Sequence, residues 1–387
     1  MFLAQAVDIF RSHGLSVDAA PPRADGSLDI DALARQLRAG SVRCPQLLYL
    51  CPIHSNPTGN TLCVEDRAKL VALALEFRFF IVADEVYHFL DWSCSATNRA
   101  GGSVKPARMC AFDPAFLRES TATATLDVYS SSAPMASEGD RSHGPAPKAG
   151  AGDPVGGVVV SLSSFSKVLG AGLRLGWIEA APDIISTLTT HPYVISGGGV
   201  APFMGTFRVA SEKLSLQHPL RAELCMKIDF VCDAPSEQIV CEVIESGDQR
   251  RFLERLLAVY ATKLSALTSV LEQHRSECGW TVTSPLPDTR SEGGEGREGS
   301  VGGFFVWMKL PPPLLARDVV AVAEARHGVT AMVGERCSPT GAASAFVKDR
   351  LRLCFAFLPV EELVEGGHRL AAAVLSERRR LGLSSPL

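Results

Sequence analysis

The chain has 387 residues, of which 46% are hydrophobic and 21% charged, and its formal net charge is −4. This composition is typical of a folded globular protein, and the small net charge gives no reason to expect a nucleic-acid partner. No apolar run reaches the roughly 20 residues that cross a bilayer, so we expect no membrane partner either.

Apolar runs of strand length alternate with helical patterns in the N-terminal half. Buried strands are predicted at 46–51, 79–83, 157–162 and 173–179. A helix is predicted at 65–77, with acidic residues in its first turn and an apolar stripe. Strands that alternate with helices indicate an α/β fold with a mostly parallel sheet covered on both faces. Ligand-binding loops would then lie beyond the carboxyl ends of the strands.

Three stretches break this alternation. Residues 93–156 are rich in Ser, Ala, Gly and Pro, and residues 285–302 are rich in Gly and Glu. Because such segments bury too little apolar surface to offset the entropy of ordering, we predict a disordered insertion at about 93–156 and a shorter one at about 285–302. The ambiguous stretch 215–238 is a candidate for a third insertion.

The C-terminal part begins with a long helical pattern from Ile239 to about Gln273, interrupted at Gly247. Strands are then predicted at 280–283, 304–310, 329–333 and 351–357, with helices at 315–327 and 360–381. We therefore predict a large domain over residues 1–273, incomplete at its N-terminus, and a smaller C-terminal α+β domain over residues 274–387.

Lys167 has the most informative surroundings in the chain. It follows the apolar run 157–162 and a serine cluster that includes Ser164, and Arg174 lies beyond it after two glycines. This order suits a lysine that condenses with an aldehyde cofactor, with hydroxyls and a guanidinium that hold a phosphate. The alternative, an exposed surface lysine, fits poorly with the preceding apolar strand.

Three further motifs occur in the chain: Ser55-Asn56-Pro57-Thr58-Gly59, Ala83-Asp84-Glu85-Val86-Tyr87 and Arg352-Leu353-Cys354-Phe355. The first two follow predicted strands, where ligand loops of an α/β sheet belong. Each candidate residue has a structural alternative: a tight turn for Asn56, a helix N-cap for Asp84, a core aromatic for Tyr87, and an exposed strand charge for Arg174, Arg350 and Arg352.

Together the four motifs resemble the class I/II aminotransferases, which are fold-type-I pyridoxal-phosphate enzymes, and most of all their aminoadipate-aminotransferase-like branch. The segments 302–307 and 334–339 are similar to that family as well. The resemblance implies the type I transferase fold, the cofactor pyridoxal 5'-phosphate and a homodimer. The implied reaction moves an amino group between an amino acid and a 2-oxo acid by a ping-pong route.

The resemblance also implies roles for the candidate residues. Lys167 would hold the cofactor as an aldimine and carry a proton between the substrate and the cofactor. Asp84 would pair with the pyridine nitrogen, and a carboxylate there keeps the ring protonated. Asn56 and Tyr87 would donate hydrogen bonds to the phenolic oxygen of the cofactor.

The phosphate of the cofactor and the α-carboxylate of the amino acid would be bound by different residues. Ser164 and Arg174 would bind the cofactor phosphate, since the planar guanidinium fork suits a phosphate dianion. Arg352 would bind the α-carboxylate of the amino acid. The Leu-x-Phe continuation of the motif favours Arg352 over Arg350 for this role.

The chain departs from the family pattern at its start. Relatives in that family carry a long stretch before the equivalent of Phe2, with a Gly/Ser-rich phosphate loop and an aromatic that stacks on the cofactor, and neither is found in residues 1–45. A truncated gene model, a degenerate paralogue, or a part supplied by another chain would each account for this. The alternative functions are another pyridoxal-phosphate enzyme, such as a β-lyase or decarboxylase, and a non-catalytic pseudoenzyme.

The 11 cysteines are odd in number and irregularly spaced. We interpret them as reduced thiols and expect a reducing, cytoplasmic location, although a truncated start could hide a targeting peptide. The 9 histidines are scattered without metal-ligand spacing, so we expect no metal site.

Overall fold

The computed structural model describes residues 4–93, 106–117, 156–173, 175–191, 235–284, 300–341 and 344–383. Two four-stranded sheets carry the architecture of these residues. The first contains, in spatial order, β1 (Leu47–Leu50), β2 (Phe80–Asp84), β3 (Val159–Ser164) and β4 (Gly176–Ala180). The second contains β5 (Thr281–Ser284), β6 (Phe305–Lys309), β7 (Met332–Val333) and β8 (Arg350–Cys354), in the spatial order β5-β6-β8-β7.

The first sheet is mostly parallel, as the sequence predicts. Strands β1, β2 and β3 run parallel, whereas β4 runs antiparallel to β3. Over its described residues, the connection from β3 to β4 contains the two 3-10 turns Phe165–Lys167 and Ala171–Leu173, and it is too short for a crossover helix. The carboxyl ends of β1, β2 and β3 therefore share one edge, and the turn with Lys167 lies there.

The helices of the N-terminal part include α1 (Ala4–Ser12), α2 (Ile30–Arg38), α3 (Val64–Phe77) and α4 (Pro182–Thr189). The carboxylate of Asp29 caps α2 by accepting a hydrogen bond from the backbone N–H of Ala32 at 2.9 Å. Buried apolar residues of α2 and α3 pack on β1 and β2, among them Leu33, Leu37, Leu70, Leu73, Leu48 and Ile81. This packing forms the core beneath the first sheet.

The C-terminal part contains α5 (Pro235–Glu245), α6 (Asp248–Gln273), α7 (Arg275–Cys278), α8 (Ala316–Val322, continued by a π-helical turn over Ala323–His327) and α9 (Val360–Arg380). The predicted interruption of the long helical pattern is found at Gly247, whose φ is +76°. The second sheet is antiparallel throughout, and its core includes the fully buried Trp280 and Met308. The division into two domains near residue 273 stays a prediction.

Helices α6 and α9 approach closely at Gly367. A Cβ atom built on this glycine would lie 2.3 Å from Cγ1 of Val270, far below van der Waals contact. We expect Gly367→Ala to destabilise the protein, because overpacking costs about 1–3 kcal/mol and exceeds the ~1 kcal/mol that alanine contributes to a helix. At Gly366 the nearest atom would be 3.8 Å away, so Gly366→Ala should be neutral or stabilising. Urea unfolding of both variants tests this, and equal effects would contradict it.

Residues 106–117 fall inside the stretch predicted to be disordered, and for them that prediction is wrong. A 3-10 turn over Met109–Phe112 packs on the first sheet with Met109 and Cys110 buried. The carboxylate of Asp113 accepts hydrogen bonds from the backbone N–H groups of Val158 and Val159 at 2.7 and 2.9 Å. The average composition of the stretch does not reveal this packing or these hydrogen bonds. Nearly all the rest of both predicted insertions, and most of 215–238, lies outside the described residues.

Candidate functional site

The candidate residues occupy the ends of the parallel strands and the middle of one strand of the second sheet. Asn56 lies in the loop after β1, Asp84 ends β2, and Lys167 lies in the turn after β3. Because the carboxyl ends of parallel strands share an edge, all three lie at one edge of the first sheet. Arg352, in the centre of β8, reaches them from the second sheet through a hydrogen bond to Asn56.

Lys167 lies beside two aromatic rings and is half-buried. Its Nζ atom is 6.0 Å from the centroid of the Tyr87 ring and 5.4 Å from that of Phe304. The positive charge of Lys167 also acts to lower the pKa of Asp84, so the two groups are within electrostatic reach. This placement differs from that of a surface lysine, which would be surrounded by water.

Asp84 lies in a low-dielectric setting with a specific hydrogen-bond donor. Burial raises the pKa of its carboxyl above the ordinary value, and hydrogen bonds from Tyr49 and from the backbone of Val86 partly offset this effect. The Tyr49 hydroxyl donates to Oδ2 at 2.5 Å. Tyr49 does not belong to any of the sequence motifs. The sequence marks it only as an aromatic residue with a polar hydroxyl within the apolar run of β1.

Asn56 and Arg352 join the two sheets, although 296 residues separate them in the chain. Nη1 of Arg352 donates a hydrogen bond to Oδ1 of Asn56 at 2.8 Å. The guanidinium also lies 4.3 Å from the centroid of the Phe305 ring. Since Oδ1 of Asn56 accepts this bond, its amide NH₂ is directed elsewhere as a donor. Nε of Arg352 is buried and has no hydrogen-bond partner within the described part of the chain.

Arg350, the other arginine of the motif, makes different contacts. Its Nη2 donates to the carbonyl oxygen of Ala24 at 3.2 Å, and its guanidinium stacks 4.4 Å from the ring centroid of Phe346. Burial lowers the pKa of Arg350 from its ordinary value. The structure thus brings Arg352, and not Arg350, to Asn56.

Tyr87 is buried in an aromatic cluster. Its ring packs against Phe304 and Phe305, with centroid distances of 5.3 and 5.9 Å. Burial raises the pKa of its phenol, and the negative charge of Asp84 adds to that shift, so the hydroxyl keeps its proton at neutral pH and can donate. Tyr87 is therefore a core aromatic, as in the structural alternative, and its protonated hydroxyl is able to donate a hydrogen bond.

Ser164 makes its hydrogen bonds within its own turn. Its hydroxyl lies 2.8 Å from the hydroxyl of Ser166 and 3.3 Å from the carbonyl oxygen of Leu175, and it accepts a hydrogen bond from the backbone N–H of Ser166 at 3.1 Å. These bonds order the turn that carries Lys167. Arg174 lies outside the described residues.

A buried polar cluster that motif reading missed joins the site to the second sheet. Nε2 of His54 lies 3.0 Å from Oδ2 of Asp91, and the hydroxyl of Ser300 donates to the same oxygen at 2.6 Å. Both partners of the histidine–aspartate pair have 0% exposed side chains. A Cβ atom at Gly302 would lie 2.3 Å from His54 Nε2, so only glycine fits there. The cluster fixes the loop before Asn56 against the segment that leads into β6.

Within the residues described, no group of three or more His, Cys, Asp or Glu side chains could hold a metal ion. Over the same ranges, every helix falls short of the length or the hydropathy that a membrane span requires.

A model of the aminotransferase class I and II family matches residues 4–196. An aromatic-amino-acid aminotransferase of Thermococcus litoralis is 23% identical over 93% of this chain and 62% of its own length. A 2-aminoadipate transaminase of Thermus thermophilus is 24% identical over 95% and 66%, and an uncharacterised protein of Saccharomyces cerevisiae is 24% identical over 83% and 54%. The chain therefore spans between 54% and 66% of the length of these relatives.

Solved structures have the same fold. The alpha-aminoadipate aminotransferase LysN of Thermus thermophilus, complexed with N-(5'-phosphopyridoxyl)-L-leucine, has a TM-score of 0.62 at 22% identity, over 98% of this chain and 70% of LysN. A kynurenine aminotransferase of Pyrococcus horikoshii, in complex with PMP, has a TM-score of 0.63 at 19% identity, over 97% and 68%. The predicted fold, that of the fold-type-I pyridoxal-phosphate-dependent transferases, is confirmed. By its fold and its family match, the chain belongs to the class I and II aminotransferases.

Proposed function

We propose that this chain is a pyridoxal 5'-phosphate-dependent aminotransferase that moves an amino group between an amino acid and a 2-oxo acid by a ping-pong route. One observation carries the proposal: a half-buried lysine, Lys167, lies among Tyr87, Asp84 and Phe304 at the edge where three parallel strands end. Arg352 reaches the same edge from the second sheet.

The donor set fits the cofactor. Pyridoxal phosphate has an aldehyde, a basic ring nitrogen, a phenolic oxygen and a phosphate, and when bound it supplies an electron sink for the α-carbon of an amino acid. Asp84 is a partly buried acid of the kind that holds a protonated ring nitrogen. The NH₂ group of Asn56 and the hydroxyl of Tyr87 are donors suited to the phenolic oxygen. Lys167 would hold the aldehyde.

Lys167 and Arg352 would act on the amino acid. In its neutral form, the Nζ atom of Lys167 would take the proton from the α-carbon of the amino acid and deliver it to the cofactor. The fork of Arg352 would bind the α-carboxylate and orient that carbon, and its unpartnered Nε is a donor available for this purpose. The aromatic wall of Phe304 and Phe305 would exclude water from the reacting atoms.

The phosphate would be held by Ser164 and Arg174. The Ser164 hydroxyl would exchange its bonds within the turn for a charge-assisted bond to a phosphate oxygen. The guanidinium of Arg174 would supply two parallel donors.

Substrates, assembly and location are part of the same proposal. Family membership supports amino acid and 2-oxo acid partners and a homodimer. A reducing, cytoplasmic location agrees with the free thiols found within the described ranges, among them those of Cys44, Cys51, Cys63, Cys278, Cys337 and Cys354.

Borohydride reduction tests the proposal. The full chain is saturated with pyridoxal phosphate, reduced, digested and analysed by mass spectrometry. We expect a stable pyridoxyl group on the peptide that contains Lys167. Lys69, exposed and 3.2 Å from Asp31, is the matched control and should stay unlabelled. Labelling spread evenly over exposed lysines, or absent from Lys167, would contradict the proposal.

Product that forms without an amino acceptor would exclude transfer in favour of lyase or decarboxylase chemistry.

A further inference from the structure

Tyr49 is placed to act on Asp84 by the register of the first sheet. In the parallel pairing of β1 with β2, Tyr49 lies opposite Val82, and Asp84 is two residues further along β2. Residues two apart on a strand share one face, so Val82 and Asp84 point to the same side of the sheet. The hydroxyl of Tyr49 extends along that side and donates to Oδ2 of Asp84 at 2.5 Å.

The ring of Tyr49 is held firmly. Tyr49 is 8% exposed, and its ring packs edge-on against that of Phe10 on α1, with a centroid distance of 5.7 Å. Val7, also on α1, belongs to the same buried cluster. Burial raises the pKa of the Tyr49 phenol, and the charge of Asp84 raises it further, so the group keeps its proton and acts as a donor to the carboxylate. The packing therefore fixes both the position and the protonation of the hydroxyl.

We infer that Tyr49 is a positioning residue for Asp84: its hydrogen bond to Oδ2 fixes the orientation of the carboxylate and favours the ionised form that would hold a protonated ring nitrogen. The part of this role that concerns the cofactor rests on the proposed function. The hydrogen bond opposes the effect of burial, which favours the neutral carboxylic acid. A neutral acid would pair only weakly with a pyridinium, since charge-assisted hydrogen bonds are about twice as strong as neutral ones.

The first experiment needs no cofactor. Protein labelled with ¹³C at the aspartate carboxyls is titrated by NMR, and the Asp84 signal is identified as the one absent from Asp84→Asn. We expect the pKa of Asp84 to be higher in Tyr49→Phe than in the unmodified chain. Tyr260→Phe is the matched control, because Tyr260 also loses a hydroxyl while its ring packs against Phe304, at 5.3 Å, rather than against Asp84. An Asp84 titration that is the same in all three proteins overturns the inference.

The second experiment measures the affinity for two ligands. Pyridoxal phosphate is compared with its 1-deaza analogue, which has a carbon in place of the ring nitrogen. In Tyr49→Phe we expect about tenfold weaker binding of pyridoxal phosphate, the effect of one hydrogen bond to a charged group, and unchanged binding of the analogue. Equal weakening of both would mean that Tyr49 has a structural role only, and overturns the inference. If the unmodified chain binds neither ligand, the proposed function fails, and the NMR titration still decides the bond between Tyr49 and Asp84.

Discussion

Lys167→Ala should reduce amino transfer by about 10²–10⁴-fold, the usual effect of removing a positioned proton carrier. The variant loses both the amine that would hold the cofactor and the base that would take the α-proton. Lys167→Arg should lose as much, because a guanidinium keeps the positive charge but does not deprotonate in proteins. Turnover of an amino acid with a 2-oxo acid at saturating pyridoxal phosphate measures both variants.

The two substitutions at position 167 separate chemistry from charge. If Lys167→Arg kept most of the activity, the lysine would act only as a cation and the mechanism proposed for it would be wrong. Lys69→Ala should leave turnover unchanged, because Lys69 is exposed on α3 and its ion pair with Asp31 is on the surface. Thermal unfolding of each variant confirms that lost activity does not reflect lost structure.

Arg108→Met should give the largest loss of stability, about 3–5 kcal/mol, the usual effect of removing one partner from a buried ion pair. The guanidinium of Arg108 binds Glu85 at 3.2 Å, Ser163 at 2.7 Å and also Glu179. Glu85 directly follows β2, Ser163 belongs to β3 and Glu179 to β4, so one side chain connects three neighbouring segments of the first sheet. The free energy of urea unfolding at neutral pH measures the loss.

The loss of stability caused by Arg108→Met should become smaller as the pH falls. Burial already raises the pKa of Glu85, and removing Arg108 takes away the positive charge that opposes this shift. A carboxyl with a raised pKa in the folded state binds its proton before the unfolded chain does, so acidification stabilises the variant relative to neutral pH. Arg38→Met is the matched control, since Arg38 forms an exposed pair with Glu76 at 2.7 Å and should have little effect. A loss that does not vary with pH would contradict this explanation.

Much of the fold follows from local patterns. Every predicted strand and helix forms. The spacing of apolar residues along the chain reports which face of an element is buried, and this spacing can be seen in a short stretch of sequence. The boundaries shift where tertiary contacts decide them. The sequence predicts a strand that begins at Leu173, but this residue belongs to the turn before β4. The run 329–333 forms a strand at Met332–Val333, at the edge of the second sheet.

The sequence was least informative about residues 106–117. Average composition over 93–156 indicates disorder, but Arg108 and Asp113 within that stretch make specific long-range contacts. Arg108 meets Glu179, 71 residues away, and Asp113 binds the backbone N–H of Val158, 45 residues away. The average composition of a segment cannot predict such contacts, because they depend on which distant residues the fold places next to it.

The sequence alone determined the types and the order of the candidate site residues: a lysine after an apolar strand, an acid after the strand before it, and an arginine in a late strand. It did so because the type of each side chain and the ends of each strand depend on residues that are adjacent in the chain. Only the tertiary structure decided which groups meet, as when Tyr49 reaches Asp84, Arg352 reaches Asn56, and His54 pairs with Asp91. Those partners are 35, 296 and 37 residues apart, and their contact depends on sheet register and on the packing of one sheet beside the other.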